Sequence, residues 1–330
     1  MRLIKPKVEI INQEPGVEGL FKHMELCART CYKSEDKITE DSARKFINNV
    51  IVARGHTAML EHGTVYLRYD FKTYDNSNSI AYRLWSKYNE NQYSEAVQAQ
   101  PVPGVPDGFV AITTNYRVLL QNDWLDDLQY LCEPTEYHAK RITVRFVCDM
   151  GVAREFCRHR VFSFAQESTR YCNYAKDKFG KECTFIIPSW LSDSVTREGH
   201  YAWHCWCGID TYGPGKECFL SEEEYENRKG TDFSEDSPEG LFIAELQNAE
   251  FTYSKLLEQG WTAQQARNVL PLALKTELIM TGTDEQWAGF FNLRCARDAH
   301  PQARELAIEL RDRMILAGYI NIYDPGSIQV

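Results

Sequence analysis

Apolar residues recur at every second position in three stretches of this chain. These are Val8 to Ile11, Thr64 to Tyr69 with Val65, Leu67 and Tyr69 on one face, and Ile142, Val144, Phe146 and Cys148. That period predicts half-buried strands. Elsewhere the period lengthens toward that of a helix. Helices are expected from about Gly16 to Thr30, and from Thr39, a candidate cap, to Arg54 just before Gly55. After Gly151, Val152, Phe156 and Cys157 can share a helical face. Ser237-Pro238 pairs a cap with a proline at the first helical position, and Gly260 ends that helix. Thr262 to Gln265 fits a capping box. Ala303, Leu306, Leu310 and Met314 stripe a last amphipathic helix that stops before Gly318. Two stretches lack a period. Gln98 to Gly108 carries three prolines and two glycines and reads as a loop; about Ser192 to Ser237 is acidic and aromatic and reads as a long surface excursion.

The chain has 330 residues, 43% hydrophobic and 25% charged, ordinary values for a globular fold. No apolar run approaches the ~20 residues that span a bilayer, and Met1 to Ile11 lacks the apolar core of a secretion signal. A cytoplasmic protein without a membrane role is expected. Eleven irregularly spaced cysteines argue for reduced thiols rather than a disulfide framework. The net charge of −10 opposes general nucleic-acid binding. It leaves room for a small anion held by a local cluster of cations.

Such a cluster lies between Arg154 and Arg170, reading REFCRHRVFSFAQESTR, with four arginines and a histidine in a chain of opposite overall sign. On a helix Arg154 and Arg158 would share a face, while Arg158, His159 and Arg160 point in different directions. Guanidinium groups grip phosphate bidentately. Interleaved Phe156, Val161, Phe162 and Phe164 argue for partial burial, and buried arginines need anionic partners. A solvated basic face is the plainer alternative from charge alone.

Arg158-His159-Arg160, seven residues, then Ser168 resembles the signature of the flavin-dependent thymidylate synthases, and Ser163, Arg170 and Tyr171 also fall where members carry the same types. Gly55-His56 with Glu61-His62, Arg267 with Leu270-Pro271-Leu272, and Asn292-Leu293-Arg294 followed by His300-Pro301-Gln302 look like three further family segments, in the family's order. The chain departs from the pattern in places. Ala165-Gln166 stands where Asn-Glu is frequent, and Glu155 where Gln is. Cys31 and Ala58 replace a Ser and a Thr, and Gly289 replaces an Asn.

The resemblance implies an α+β fold, with a large, mostly antiparallel central sheet flanked by helices. It implies one domain over 1–330 with insertions at about 70–135 and 192–237. It implies reductive methylation of dUMP with methylenetetrahydrofolate as carbon donor, FAD as cofactor and NADPH as reductant, in a homotetramer. The nucleotide contacts it implies are Glu155, Arg158, Gln166, Glu167, Ser168, Thr169, Arg170, Arg267 and Arg294. Those implied for FAD are His56, Arg158, His159, Arg160, Gln166, Gly289 and His300. Arg294 and Ser168 are the catalytic candidates, Arg294 as a fixed cation beside the pyrimidine. Ser168 reads better as a phosphate-binding hydroxyl than as a nucleophile, because arginines cannot take its proton. Cys157, Cys172 and Cys295 adjoin the segment and read as packing residues. No metal is expected in the site. A zinc cluster from His200, His204, Cys205, Cys207 and Cys218 is the rival metal reading, though Cys-x-Cys is not the usual spacing. Single-stranded RNA on Arg-His-Arg and its aromatics is the rival of another class.

Overall fold

The computed structural model describes residues 1–72, 77–99, 107–191, 199–200 and 237–320. In chain order the N-terminal part runs β1 (Arg2–Ile4), β2 (Lys7–Ile11), α1 (Gly16–Tyr32), α2 (Ser42–Phe46), β3 (Thr64–Lys72), α3 (Ser77–Asn89), β4 (Glu95–Ala99), β5 (Asp107–Asn115) and α4 (Tyr116–Gln121). It continues through β6 (Arg141–Asp149), α5 (Met150–Phe156), β7 (Ser163–Gln166), β8 (Thr184–Ile186), β9 (Gly199–His200), α6 (Pro238–Glu258) and α7 (Ala263–Ala266). It ends with β10 (Lys275–Thr283), α8 (Asp284–Arg294) and α9 (Pro301–Leu316).

The fold is mixed, as expected, and its pairing is mostly antiparallel. The strands divide among three sheets, ordered β2-β6-β10-β7, β3-β5-β4 and β8-β1-β9, the last with β1 parallel to β8. β10 is one of the two interior strands of the four-stranded sheet, with β6. It pairs with β6 from Lys275↔Asp149 to Thr283↔Arg141, and with β7 from Leu278↔Gln166 to Thr281↔Ser163. One face of this sheet buries Val144, Phe146 and Met280 against Phe156 of α5, Trp287 and Phe290 of α8, and Leu306, Leu310 and Met314 of α9. The Trp287 indole is fully buried and donates to the Ile142 carbonyl at 3.1 Å, so its one polar atom is satisfied. On the other face, Cys27 of α1 meets Ala165 and Ile279. The segment expected as an insertion, about 70–135, supplies α3, β4, β5 and α4, and these pack on β3 and α1 in their own core.

Helix ends follow local chemistry. Ser237 Oγ accepts from Gly240 N at 3.0 Å ahead of Pro238, and Gly260 takes φ +91° just past α6. The Gln265 side chain accepts from Thr262 N at 2.9 Å, as the capping-box pattern requires. The helix expected from Thr39 starts later, at Ser42, because the Ser42 hydroxyl closes a turn with Thr39, accepting from its N–H at 2.9 Å. It then widens to a π-helix over Ile47–Val52. The loop expected over Gln98 to Gly108 is narrower, since β4 and β5 claim its two ends; its middle lies outside the described residues.

A buried polar chain crosses this interior. His23 Nε2 bonds the Thr143 hydroxyl at 3.0 Å, Thr143 bonds Thr281 at 2.8 Å, and Thr281 bonds His62 Nδ1 at 2.8 Å. Burial holds both imidazoles neutral, pulling His23 from 6.5 to about 4 and His62 from 6.5 to about 3. The unfolded chain therefore takes up protons first as pH falls. Stability present above about pH 6.5 is lost as pH drops toward 4, by roughly a few kcal/mol. Urea midpoints are expected to fall between pH 7.5 and pH 5, and to fall less in His23→Asn. Equal pH slopes for the two proteins would contradict this assignment.

Candidate functional site

The arginine-rich segment is shaped by where α5 stops. Asp149 caps the helix by accepting from Val152 N at 2.8 Å. The helix ends at Phe156 and gives way to tight turns, with Arg158 N donating to Glu155 O and His159 N to Phe156 O. Arg158 therefore lies beyond the helix and shares no helical face with Arg154, which corrects the sequence-based expectation. The chain then enters β7. Phe162 anchors the turn against Gly282, where any Cβ would lie 2.5 Å from the ring. Glycine at 282 is thus what lets the segment approach β10 so closely.

Arg158, His159 and Arg294 line one cavity of about 410 Å³, with Leu293 and Asp298 on its rim. Arg294 comes from the last turn of α8, over a hundred residues away in sequence, and is held on three sides. Its Nε donates to His159 Nε2 at 2.9 Å, Nη1 to the Glu155 carboxylate at 2.5 Å, and Nη2 to the Glu155 carbonyl at 2.7 Å. Burial and the adjacent Arg294 charge pull His159 down to about 4, so its ring is neutral and accepts. Of five guanidinium N–H donors, three are taken by these bonds and two remain for a ligand.

The rest of the signature faces elsewhere. Arg267 Nη1 donates to Thr169 Oγ1 at 2.9 Å, and Arg170 Nε to Gln264 Oε1 at 3.1 Å. These two arginines, both implied as nucleotide contacts, come together within one chain. Neither lines the Arg294 cavity. Ser168 N donates to the Cys31 carbonyl at 3.1 Å, and its hydroxyl accepts from Arg170 N at 3.4 Å. His56 bonds the Tyr32 hydroxyl, and Tyr32 packs on Tyr171 with ring centres 5.3 Å apart, on the Ser168 side. Gln166 donates to Thr276 Oγ1 at 3.3 Å. Gly289 lies on an open face of α8, and His300 caps α9 beside Trp190. The structure does not gather these last two with His56.

Glu167, expected among the nucleotide contacts, turns inward instead and is 3% exposed. Lys275 Nζ lies 2.8 Å from its carboxylate and 2.7 Å from that of Glu277. Lys33 also pairs with Glu277. Burial alone would raise the Glu277 pKa; the two ammonium groups outweigh it and hold it at about 2. Backbone N–H of Glu167 donates to the Glu277 carbonyl at 2.8 Å, so this ionic cluster fixes the strand end that leads into Ser168. Cys157 and Cys295 are half-buried and Cys172 is buried; burial raises all three thiols, Cys172 to about 12, which suits packing and not nucleophilic chemistry. Of the rival zinc cluster, all but His200 lies outside the described residues.

A second cleft, also about 410 Å³, opens on the opposite side of the turn and is lined by Arg160 with Arg117, Arg141, Glu61, Glu95 and Thr113.

The model of the thymidylate synthase complementing protein family matches residues 133–315, more than half of the chain. The chain belongs to that family. The match takes in Glu155 to Arg170, Arg267, Arg294 and His300; His56 and Glu61-His62 precede it. A flavin-dependent thymidylate synthase of Geobacter sulfurreducens is 24% identical over 160 residues, covering 48% of this chain and 50% of that relative. One of Thermosipho africanus is 26% identical over 159 residues, 48% of this chain and 56% of the relative. This family member thus spans about half the length of the curated relatives it matches. The solved UMP/dUMP methylase PolB from Streptomyces cacaoi, bound with 5-Br dUMP, aligns over 96% of this chain and 93% of its own, at 14% identity and a TM-score of 0.39. No helix among the described residues is long and apolar enough to cross a membrane.

Sequence reading missed the residues that hold this family member's site in place. Lys275 and Glu277 stand two apart on β10 and so share a face, a pattern that could have flagged them had the strand been recognised. Arg117 and Arg141 sit singly in sequence and carry no such signal. Replacing Lys275 with Met removes the cation between buried Glu167 and partly buried Glu277 and is expected to destabilise the chain by about 3–5 kcal/mol. Urea denaturation at pH 7.5 measures it; a midpoint unchanged from wild type would contradict the buried-pair role.

Proposed function

We propose that this chain is a FAD-dependent thymidylate synthase that reductively methylates dUMP to dTMP in the cytoplasm. Methylenetetrahydrofolate supplies the carbon and NADPH the reducing equivalents. The observation that carries the reading is the convergence of Arg158, His159 and Arg294 on one cavity, from segments inside the family match. The names of the relatives support it. On this reading the chain is a single domain to which about 70–135 and 192–237 are additions, and it works as a homotetramer whose subunits complete one another's sites.

Arg158 binds the nucleotide phosphate, joined by Ser168, Thr169, Arg170 and Arg267, with Gln166 beside them. Arg294 presents its two remaining donors to the pyrimidine. Its three fixed bonds hold the guanidinium in place before substrate arrives, so little reorganisation is needed as negative charge builds on the ring. Glu155, a carboxylate where relatives often carry an amide, neutralises Arg294 in the resting site. Among the described residues no histidine hydrogen-bonds the Ser168 hydroxyl, in keeping with a binding role for that residue.

The residues beside Arg160 support a flavin. The cleft there presents guanidinium groups and the buried, unpartnered hydroxyl of Thr113, a donor set that fits an anionic cofactor. His56, Arg158, His159, Arg160, Gln166, Gly289 and His300 would hold FAD, some of them from neighbouring subunits. When bound, the flavin supplies the hydride that completes the methyl group.

Purified protein is expected to show oxidised-flavin absorption that NADPH bleaches. Arg294→Ala should lower thymidylate formation by about 10²–10³-fold. Colourless protein that takes up no added FAD, or an Arg294→Ala rate near wild type, would each sink the corresponding part of the reading.

A further inference from the structure

The cleft beside Arg160 is a built cation site whose counter-charge is incomplete. It gathers Arg117 from α4, Arg141 from the start of β6, and Arg160. Arg117 pairs with the Glu61 carboxylate. The Arg141 guanidinium reaches only a carbonyl oxygen, that of Glu61, at 2.9 Å, and its Nε is buried without a partner. Arg160 has no ion-pair partner among the described residues. The Thr113 hydroxyl on the same lining is 3% exposed and also unpartnered. Glu95, the cleft's other carboxylate, is pushed upward by burial and by Asp284 and Glu285, and drawn downward by Arg141. Burial likewise lowers the Arg141 pKa, as expected where solvent has been removed from a cation.

A desolvated guanidinium with no carboxylate in contact is costly and calls for an anion from outside. Glu61 pairs with Arg117, and among the described residues no carboxylate lies at ion-pair distance from Arg141 or Arg160. Two such guanidinium groups on one cleft suit the two linked phosphates of a dinucleotide diphosphate, and about 410 Å³ suits a small-molecule ligand. We propose that Arg117 and Arg141, with Arg160, form a clamp for the diphosphate of the flavin dinucleotide. Resting as it does on the flavin reading above, the proposal gives cofactor affinity to Arg117, a residue that precedes the family match.

The test titrates wild type, Arg117→Gln and Arg141→Gln with FAD by flavin fluorescence, and with ADP by calorimetry. Binding of dUMP serves as the control for an intact fold, because neither arginine lines the Arg294 cavity. Each variant is expected to bind FAD and ADP about 10-fold or more weakly, with dUMP affinity unchanged. Arg117→Gln carries the test alone if the more buried Arg141→Gln does not fold. FAD affinity within about twofold of wild type in Arg117→Gln would overturn the clamp. Wild type that binds ADP through these arginines but takes up no FAD would overturn the flavin reading and keep the diphosphate site.

Discussion

The structure depends on the backbone pairing of β10. An interior strand must satisfy its N–H and C=O groups on both sides, and β10 does so with β6 on one edge and β7 on the other. That double pairing sets the position of everything chemical. β7 carries the arginine-rich segment toward Ser168, and α8 follows β10 directly and ends at Arg294. Two stretches more than a hundred residues apart are thereby referred to the same strand. Gly282 and Phe162 tighten the junction, and Lys275 with Glu167 and Glu277 closes its far end.

Much of this was legible in the sequence where one local pattern decided the outcome. The period-two runs at Val8 to Ile11, Thr64 to Tyr69 and Ile142 to Cys148 became β2, β3 and β6, and the proline and capping signals at Ser237 and Thr262 opened α6 and α7. Ala303, Leu306, Leu310 and Met314 are all buried on α9. Strands without a clean pattern of their own were harder. β10 mixes Lys275 and Glu277 with Leu278 to Met280, so it shows neither clean alternation nor an apolar run, and β7 is only four residues long. Both are made strands by their neighbours, which propensity does not see. The arginine cluster was legible as chemistry but not as geometry. A helical reading joined Arg154 to Arg158, whereas the helix stops between them.

Charge is handled differently in the two recesses. The chain carries −10 overall, yet the cavity of Arg158 and the cleft of Arg160 are rich in cations. In the first, Arg294 is already matched by Glu155, so orientation rather than bare charge distinguishes it. In the second, Arg141 has no carboxylate at contact distance, so charge itself is the feature. The inward turn of Glu167 belongs to the same division, since a carboxylate drawn into an ionic cluster no longer opposes an incoming anion.

The early end of α5 has one more consequence. Because the chain leaves the helix at Phe156 and is pinned again at Phe162, Arg158 and His159 face one recess and Arg160 the other across a single bend. The bend tolerates changes of side chain but not of length. One residue inserted or deleted between those two phenylalanines would re-aim both recesses at once, so their evolution is tied together by a count of peptide units.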